Sequence, residues 1–145
     1  MIDDQQEFNI IKNMLKLIYY VPESHLELTK KAIFEAGAGG IGNYEHCAWQ
    51  VKGIGQFKPV KGANPFLGQL DELEQLEEWR VETIVPEEKA SDVAKALKAS
   101  HPYEEPAFEF IQILGCVDTF SLKNSEVVKS NRQTQFYYSL CLVPC

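Results

Sequence analysis

The chain has 145 residues, 45% hydrophobic and 24% charged, the make-up of an ordinary globular domain large enough to bury a real core. Its net charge of −7 and isoelectric point near 5.0 argue against a nucleic-acid backbone or an anionic membrane surface as partner. No apolar run approaches the roughly 18 residues that a membrane helix needs.

Residues 1–13 are polar and aperiodic until Phe8, Ile10 and Ile11, and a flexible lead is expected there. The start is acidic where a secretory leader is basic, so a cytoplasmic, reducing location is expected. Met14 to Val21, aromatic and aliphatic with one charge, predicts a strand. Pro22-Glu23 opens a helix. Leu26, Thr29, Ala32, Ile33 and Ala36 recur at three- and four-residue spacing along its apolar face, and Gly37 stops it. Cys47 to Val51 predicts a second strand, and Gly53 to Gly68 a long loop or ragged hairpin rich in Gly, Pro and Asn.

Glu77 to Val85 is glutamate-rich, so propensity alone favours helix. An internal repeat overrides that preference. Shifted by 64 residues, Val21-Pro22-Glu23 falls on Val85-Pro86-Glu87, Thr29 on Val93, and Lys31-Ala32-Ile33 on Lys95-Ala96-Leu97. The segment before Val85 is therefore a strand feeding a second helix, and Pro106 to Leu114 is a final strand. Strand–helix–strand twice predicts an α+β, ferredoxin-like βαββαβ domain over residues 14–114, an antiparallel sheet with both helices on one face. Residues 115–145 are an extension in which Gln135 to Val143 has the character of an added edge or interface strand.

Four stretches invite a chemical reading. Gly37-Ala-Gly-Gly-Ile-Gly42 spells G-x-G-x-x-G, but a dinucleotide loop follows a strand, opens a helix and has an acid about twenty residues later. Here a helix precedes, a strand follows, and the later region offers Lys58 and Lys61, so a helix cap and tight connection fit better. His101-Pro-Tyr-Glu-Glu-Pro106 could bind a metal or do acid–base work. Its two glutamates diverge in an extended segment, and a rigid helix-to-strand crossover explains the prolines equally well. His46-Cys47 are strand neighbours on opposite faces, which leaves Cys47 a buried, inert thiol and not a paired nucleophile. The third histidine, His25, sits in a first helical turn as a solvated residue. The acidic run from Asp71 to Glu82 surrounds Arg80, which shares a strand face with Glu78 and Glu82 and pairs with them. Cys116, Cys141 and Cys145 cluster late, without Cys-x-x-Cys or finger spacing.

Several motifs in order are specific to one family. Gly37 to Tyr44 with Cys47, Gly53-x-Gly-x-Phe57-x-Pro59, Gly62-Ala-Asn-Pro65-Phe-Leu-Gly68, Arg80-Val-Glu82 and His101 to Ala107 resemble the insert domain of the Nif-three-like, GTP cyclohydrolase-like dinuclear-metal proteins. The resemblance covers about residues 14–114. It implies a fold similar to that of the CutA and PII proteins, which are ferredoxin-like trimers, and His101-Pro-Tyr-Glu104 resembles the matching CutA motif. It also implies that the dinuclear metal site lies in flanking domains with no matching positions here, so that no hydrolase activity carries over.

The reading that results is a small non-enzymatic, homo-oligomeric module, trimer favoured over dimer, responsive to a ligand or metal. The expected ligand-binding residues are Gly39, Gly42, Asn43, Tyr44, Asn64, Phe66, Arg80 and Tyr103, in a pocket shared by the glycine loop, the Gly53–Gly68 loop and the His101–Glu105 crossover. No cofactor is expected beyond a divalent metal at His101 and Glu104. The alternatives are a metal-dependent hydrolase-like enzyme using His101 with Glu104 or Glu82, and a protein-interaction module acting through Phe136-Tyr-Tyr138.

Overall fold

The computed structural model describes residues 14–113, and the expectations for residues 1–13 and 115–145 lie outside it. Four strands, β1 (Met14–Val21), β2 (Ala48–Phe57), β3 (Glu74–Pro86) and β4 (Phe108–Gln112), alternate with two helices, α1 (Leu26–Glu35) and α2 (Ala90–Ser100). The strands form one antiparallel sheet in the order β2-β3-β1-β4. This is the ferredoxin-like arrangement.

The repeat holds residue by residue. Each helix is entered through a 3-10 turn, Glu23–His25 or Glu87–Lys89, at the same 64-residue offset. Thr29 and Val93 are both fully buried, as are Ile33 and Leu97. Against these helical residues pack Leu17, Tyr19 and Val21 of β1 with Val81 and Val85 of β3. Fully burying one such aliphatic side chain stabilises the fold by about 1.5–3 kcal/mol. Thr29 differs from its equivalent Val93 by a hydroxyl, which needs a partner in the core. Its Oγ1 donates to the His25 or Leu26 carbonyl, each at 2.9 Å, and accepts from the Tyr19 hydroxyl at 3.1 Å. Burial pushes the Tyr19 phenol up to about 12.

Gly37 ends α1 as expected. Its φ is +112°, and the Gly37 and Ala38 amides donate back to the Phe34 and Ile33 carbonyls, both at 3.0 Å, the paired bonds of a Schellman cap. Two strands run longer than their sequence indicated. β2 extends through Gly53, Gly55 and Phe57, because those residues pair in register with Glu78, Leu76 and Glu74 of a longer β3. The β2–β3 connection is therefore residues 58–73, and the first five residues of the glycine-rich stretch are strand.

Two local expectations are corrected. His46 and Cys47 precede β2 and are not strand neighbours. His46 has φ +58° and stacks on Phe34 at 4.9 Å, while Cys47 is only half-buried. His25 is half-buried too, its ring edge-on to Phe66 at 5.7 Å.

Candidate functional site

Alternation along the strands gives the sheet two unlike faces. Odd-numbered residues of β1 and β3 meet the helices. Even-numbered residues of both strands, among them Ile18, Tyr20, Glu78, Arg80 and Glu82, lie on the helix-free face, and the register sets Val51 and Gly53 of β2 beside Arg80 and Glu78. Arg80 Nη2 pairs with Glu82 Oε1 at 2.8 Å, and Lys16 Nζ approaches Glu82 Oε2 at 3.5 Å. Arg80 thus pairs with one of its two same-face carboxylates, and the other, Glu78, is engaged elsewhere.

At the Val21 end of this face the 58–73 connection and the α2–β4 crossover close over the sheet to leave a groove of about 600 Å³, within the usual size range of small-molecule sites. Its floor is sheet, with Tyr20, Val51, Glu78 and Arg80, and its walls include Phe57, Phe66 and Tyr103. The Tyr103 ring lies 6.2 Å from Phe57 and 6.4 Å from Phe66, tilted to both. The Tyr103 hydroxyl donates to Glu78 Oε1 at 2.8 Å. Burial, followed by the Glu78 carboxylate, raises its phenol pKa above the ordinary value. Gly55 matters here for its size. A Cβ at that position would run into the Glu78 carboxylate. The backbone amide of Asn64 donates to Glu104 Oε2 at 3.0 Å, tying the long connection to the crossover.

His101 stands behind the groove, 7% exposed. Nε2 is 2.7 Å from the Tyr20 carbonyl oxygen, and Nδ1 accepts the Tyr103 amide at 3.1 Å. A carbonyl only accepts and an amide only donates, so the ring is neutral with its proton on Nε2. Burial holds its pKa below the usual value. Nε2 pins the crossover to β1, and Nδ1 fixes the turn that leads into Tyr103. Among the described residues no three His, Cys, Asp or Glu side chains gather as a metal would require.

The structure brings together some of the predicted site residues and separates others. Phe66, Arg80 and Tyr103 line the groove, as do Glu104 and the neighbours of Asn64. Gly39, Gly42, Asn43 and Tyr44 do not line it. Gly39 is strapped to the other end of β3, its amide on the Ile84 carbonyl at 2.8 Å and its own carbonyl accepting from Cys47 at 2.9 Å. Ile84 lies six residue steps along the strand from Glu78, roughly 20 Å. Ile41 and Tyr44 close a two-residue turn through reciprocal bonds of 2.9 Å, with Gly42 at φ +54°. Glu78 was missed as a site residue. Its sequence signal was an acid two residues before a same-face arginine in the expected Glu77–Val85 strand.

No family model matches the chain. Curated proteins do. The GTP cyclohydrolase 1 type 2 homolog of Mycobacterium leprae is 43% identical over 104 residues, 72% of this chain and 27% of the relative. The protein of the same name from Bacillus subtilis is 43% identical over 122 residues, 79% of this chain and 32% of the relative. Among solved structures, a Bacillus cereus protein related to NIF3 superposes with TM-score 0.62 at 40% identity, over 70% of this chain and 26% of its own. The periplasmic divalent cation tolerance protein CutA of Archaeoglobus fulgidus superposes with TM-score 0.54 at 18% identity, over 74% of this chain and 90% of its own, a likeness of fold alone. The chain thus spans about a third or less of the curated relatives it matches. It is a relative of the NIF3 family, the proteins named GTP cyclohydrolase 1 type 2 homologs, and its domain of residues 14–113 has a CutA-like fold.

Proposed function

We propose that this domain is a non-catalytic, homo-oligomeric binding module whose ligand site is the groove at the Val21 end of the sheet. The observation that carries the reading is the state of His101. The histidine that would have to act as base or metal ligand has both ring nitrogens taken by backbone groups, while the groove beside it is walled by aromatic rings and hydrogen-bonded carboxylates. An enzyme reading, or a metal on His101 and Glu104, would first require breaking one of those bonds.

Self-association is supported by the edge strand. Among the described residues β2 lies at the border of the sheet and exposes Trp49 outside the groove, at a sheet edge of the kind that partners cover. The resemblance to CutA favours a trimer over a dimer. A cytoplasmic setting suits the acidic chain, and no helix among the described residues is long and apolar enough to cross a membrane.

Two measurements test the proposal. Light scattering at micromolar concentration gives an oligomer, and a strict monomer removes that half. A thermal-shift screen against nucleotides, organic ions and divalent metals gives at least one stabilising class, since a ligand at 100 times its Kd adds about 2.7 kcal/mol. A screen with no hit in any class removes the other half.

A further inference from the structure

We infer that the groove is built for an organic cation, an alkylated or quaternary ammonium group carried on an apolar body. The inference rests on the groove being a binding site and goes on to name the ligand's charge and shape. Three carboxylates line it, Glu78, Glu104 and Glu105, against two cations, Lys58 and Arg80. One of those cations is already held by Glu82 at 2.8 Å. An anion entering here would meet an excess of like charge, within a chain that is itself at −7.

The carboxylates are also positioned in advance. Glu78 is oriented by the Tyr103 hydroxyl through Oε1 and Glu104 by the Asn64 amide through Oε2, so each keeps its other oxygen for a ligand. Gly55 leaves the room that Glu78 occupies. Four aromatic rings stand among the aliphatic residues of the remaining walls. Phe57, Phe66 and Tyr103 stand at centroid separations of 6.2 and 6.4 Å, tilted by 51° and 44°, and Tyr20 lines the groove with them. Several rings converging on one space, with carboxylates beside them, is the environment that attracts an alkylammonium ion through ring quadrupoles. A bare divalent ion would instead need three or more ligating side chains gathered together, and none are so gathered among the described residues.

The test is a titration of the full chain, followed by amide and aromatic NMR, with three probes: choline, its neutral isostere 3,3-dimethylbutan-1-ol, and AMP. The inference expects saturable binding of the ammonium ion, with shifts at Tyr103 and Phe66. It expects at least tenfold weaker binding of the alcohol and of AMP, and loss of affinity as sodium chloride is raised. Glu104→Gln and Glu105→Gln each weaken the ammonium ion severalfold and leave the alcohol unchanged. Both sit on the exposed crossover, so either serves if the other fails to fold. Equal or tighter binding of the alcohol or of AMP in the groove overturns the cation assignment and leaves the groove as a site. Failure of all three probes to shift any groove resonance overturns the cation assignment, and the screen of nucleotides and metals then decides the groove separately.

Discussion

Replacing His101 by alanine removes two hydrogen bonds at once and leaves two backbone groups behind. The Tyr20 carbonyl loses a donor at 2.7 Å and the Tyr103 amide loses an acceptor at 3.1 Å. A buried polar group deprived of its partner costs about 1–3 kcal/mol. Tyr20 and Tyr103 are only half-buried, so water replaces part of the loss, and the expected destabilisation is about 2–4 kcal/mol in total. That is a large share of the 5–15 kcal/mol that typically holds a domain together. The pH dependence separates this role from a merely space-filling one. The unfolded imidazole titrates near 6.5, and burial holds the folded one lower. Below about pH 6.5 the unfolded chain takes up a proton that the native state refuses, so the stabilisation is complete above that pH and falls as pH drops toward the folded pKa. The slope is at most about 1.4 kcal/mol per pH unit. Urea unfolding of wild type and of the His101→Phe variant, which keeps a planar ring without a titratable group, at about pH 7.5 and about pH 5.5, reads it directly. The stability gap between the two proteins should narrow at the lower pH. A gap that stays constant or widens toward acid refutes the neutral, doubly bonded ring, as does an alanine variant within about 0.5 kcal/mol of wild type.

Four further outcomes follow from the packing. Gly39→Ala combines φ +80° with a Cβ placed 2.8 Å from the Phe34 ring, so urea unfolding should show a loss of about 2 kcal/mol or more with ligand affinity in the groove unchanged; lost affinity at normal stability would return the glycine loop to the binding site. Thr29→Val strands the buried Tyr19 hydroxyl and should cost about 1–3 kcal/mol, whereas Tyr19→Phe in the Thr29→Val background should recover part of that loss. Because the folded Tyr19 phenol titrates at about 12 against 10.0 for the free group, stability should fall as pH rises above about 10, and Tyr19→Phe should flatten that fall; an unaltered alkaline profile contradicts the buried phenol. Gly55→Ala pushes into the Glu78 carboxylate and should weaken groove binding severalfold while costing the fold about 1 kcal/mol or less; normal affinity measured by calorimetry would remove Glu78 from the site.

The fold was legible because it is written twice. The Val-Pro-Glu signal at both strand ends placed both helices, and it made a strand of Glu77 to Val85 against the helix preference of its glutamates. Gly37 could be read as a cap from its place after an apolar helical stripe. What the sequence hid depends on distance along the chain. The two partners of His101 include a carbonyl 81 positions away, so nothing local distinguished a pinned imidazole from a free one. Gly53 and Gly55 looked like loop because glycine disfavours strands, yet they pair with Glu78 and Leu76, and the space left at Gly55 is what Glu78 uses. The sequence groups the glycine loop with the groove because both are rich in uncommon residues. They lie at opposite ends of β3.

The central claim is that ligand binding belongs to the groove and not to the glycine loop, and amide NMR of the isotope-labelled full chain, titrated with the compounds that stabilise it in the thermal-shift screen, tests it most directly. The account predicts shifts gathered at Gly53 to Phe57, Phe66 and Tyr103, with Gly37 to Tyr44 undisturbed. Shifts gathered at Gly37 to Tyr44, with the groove resonances unmoved, would contradict it.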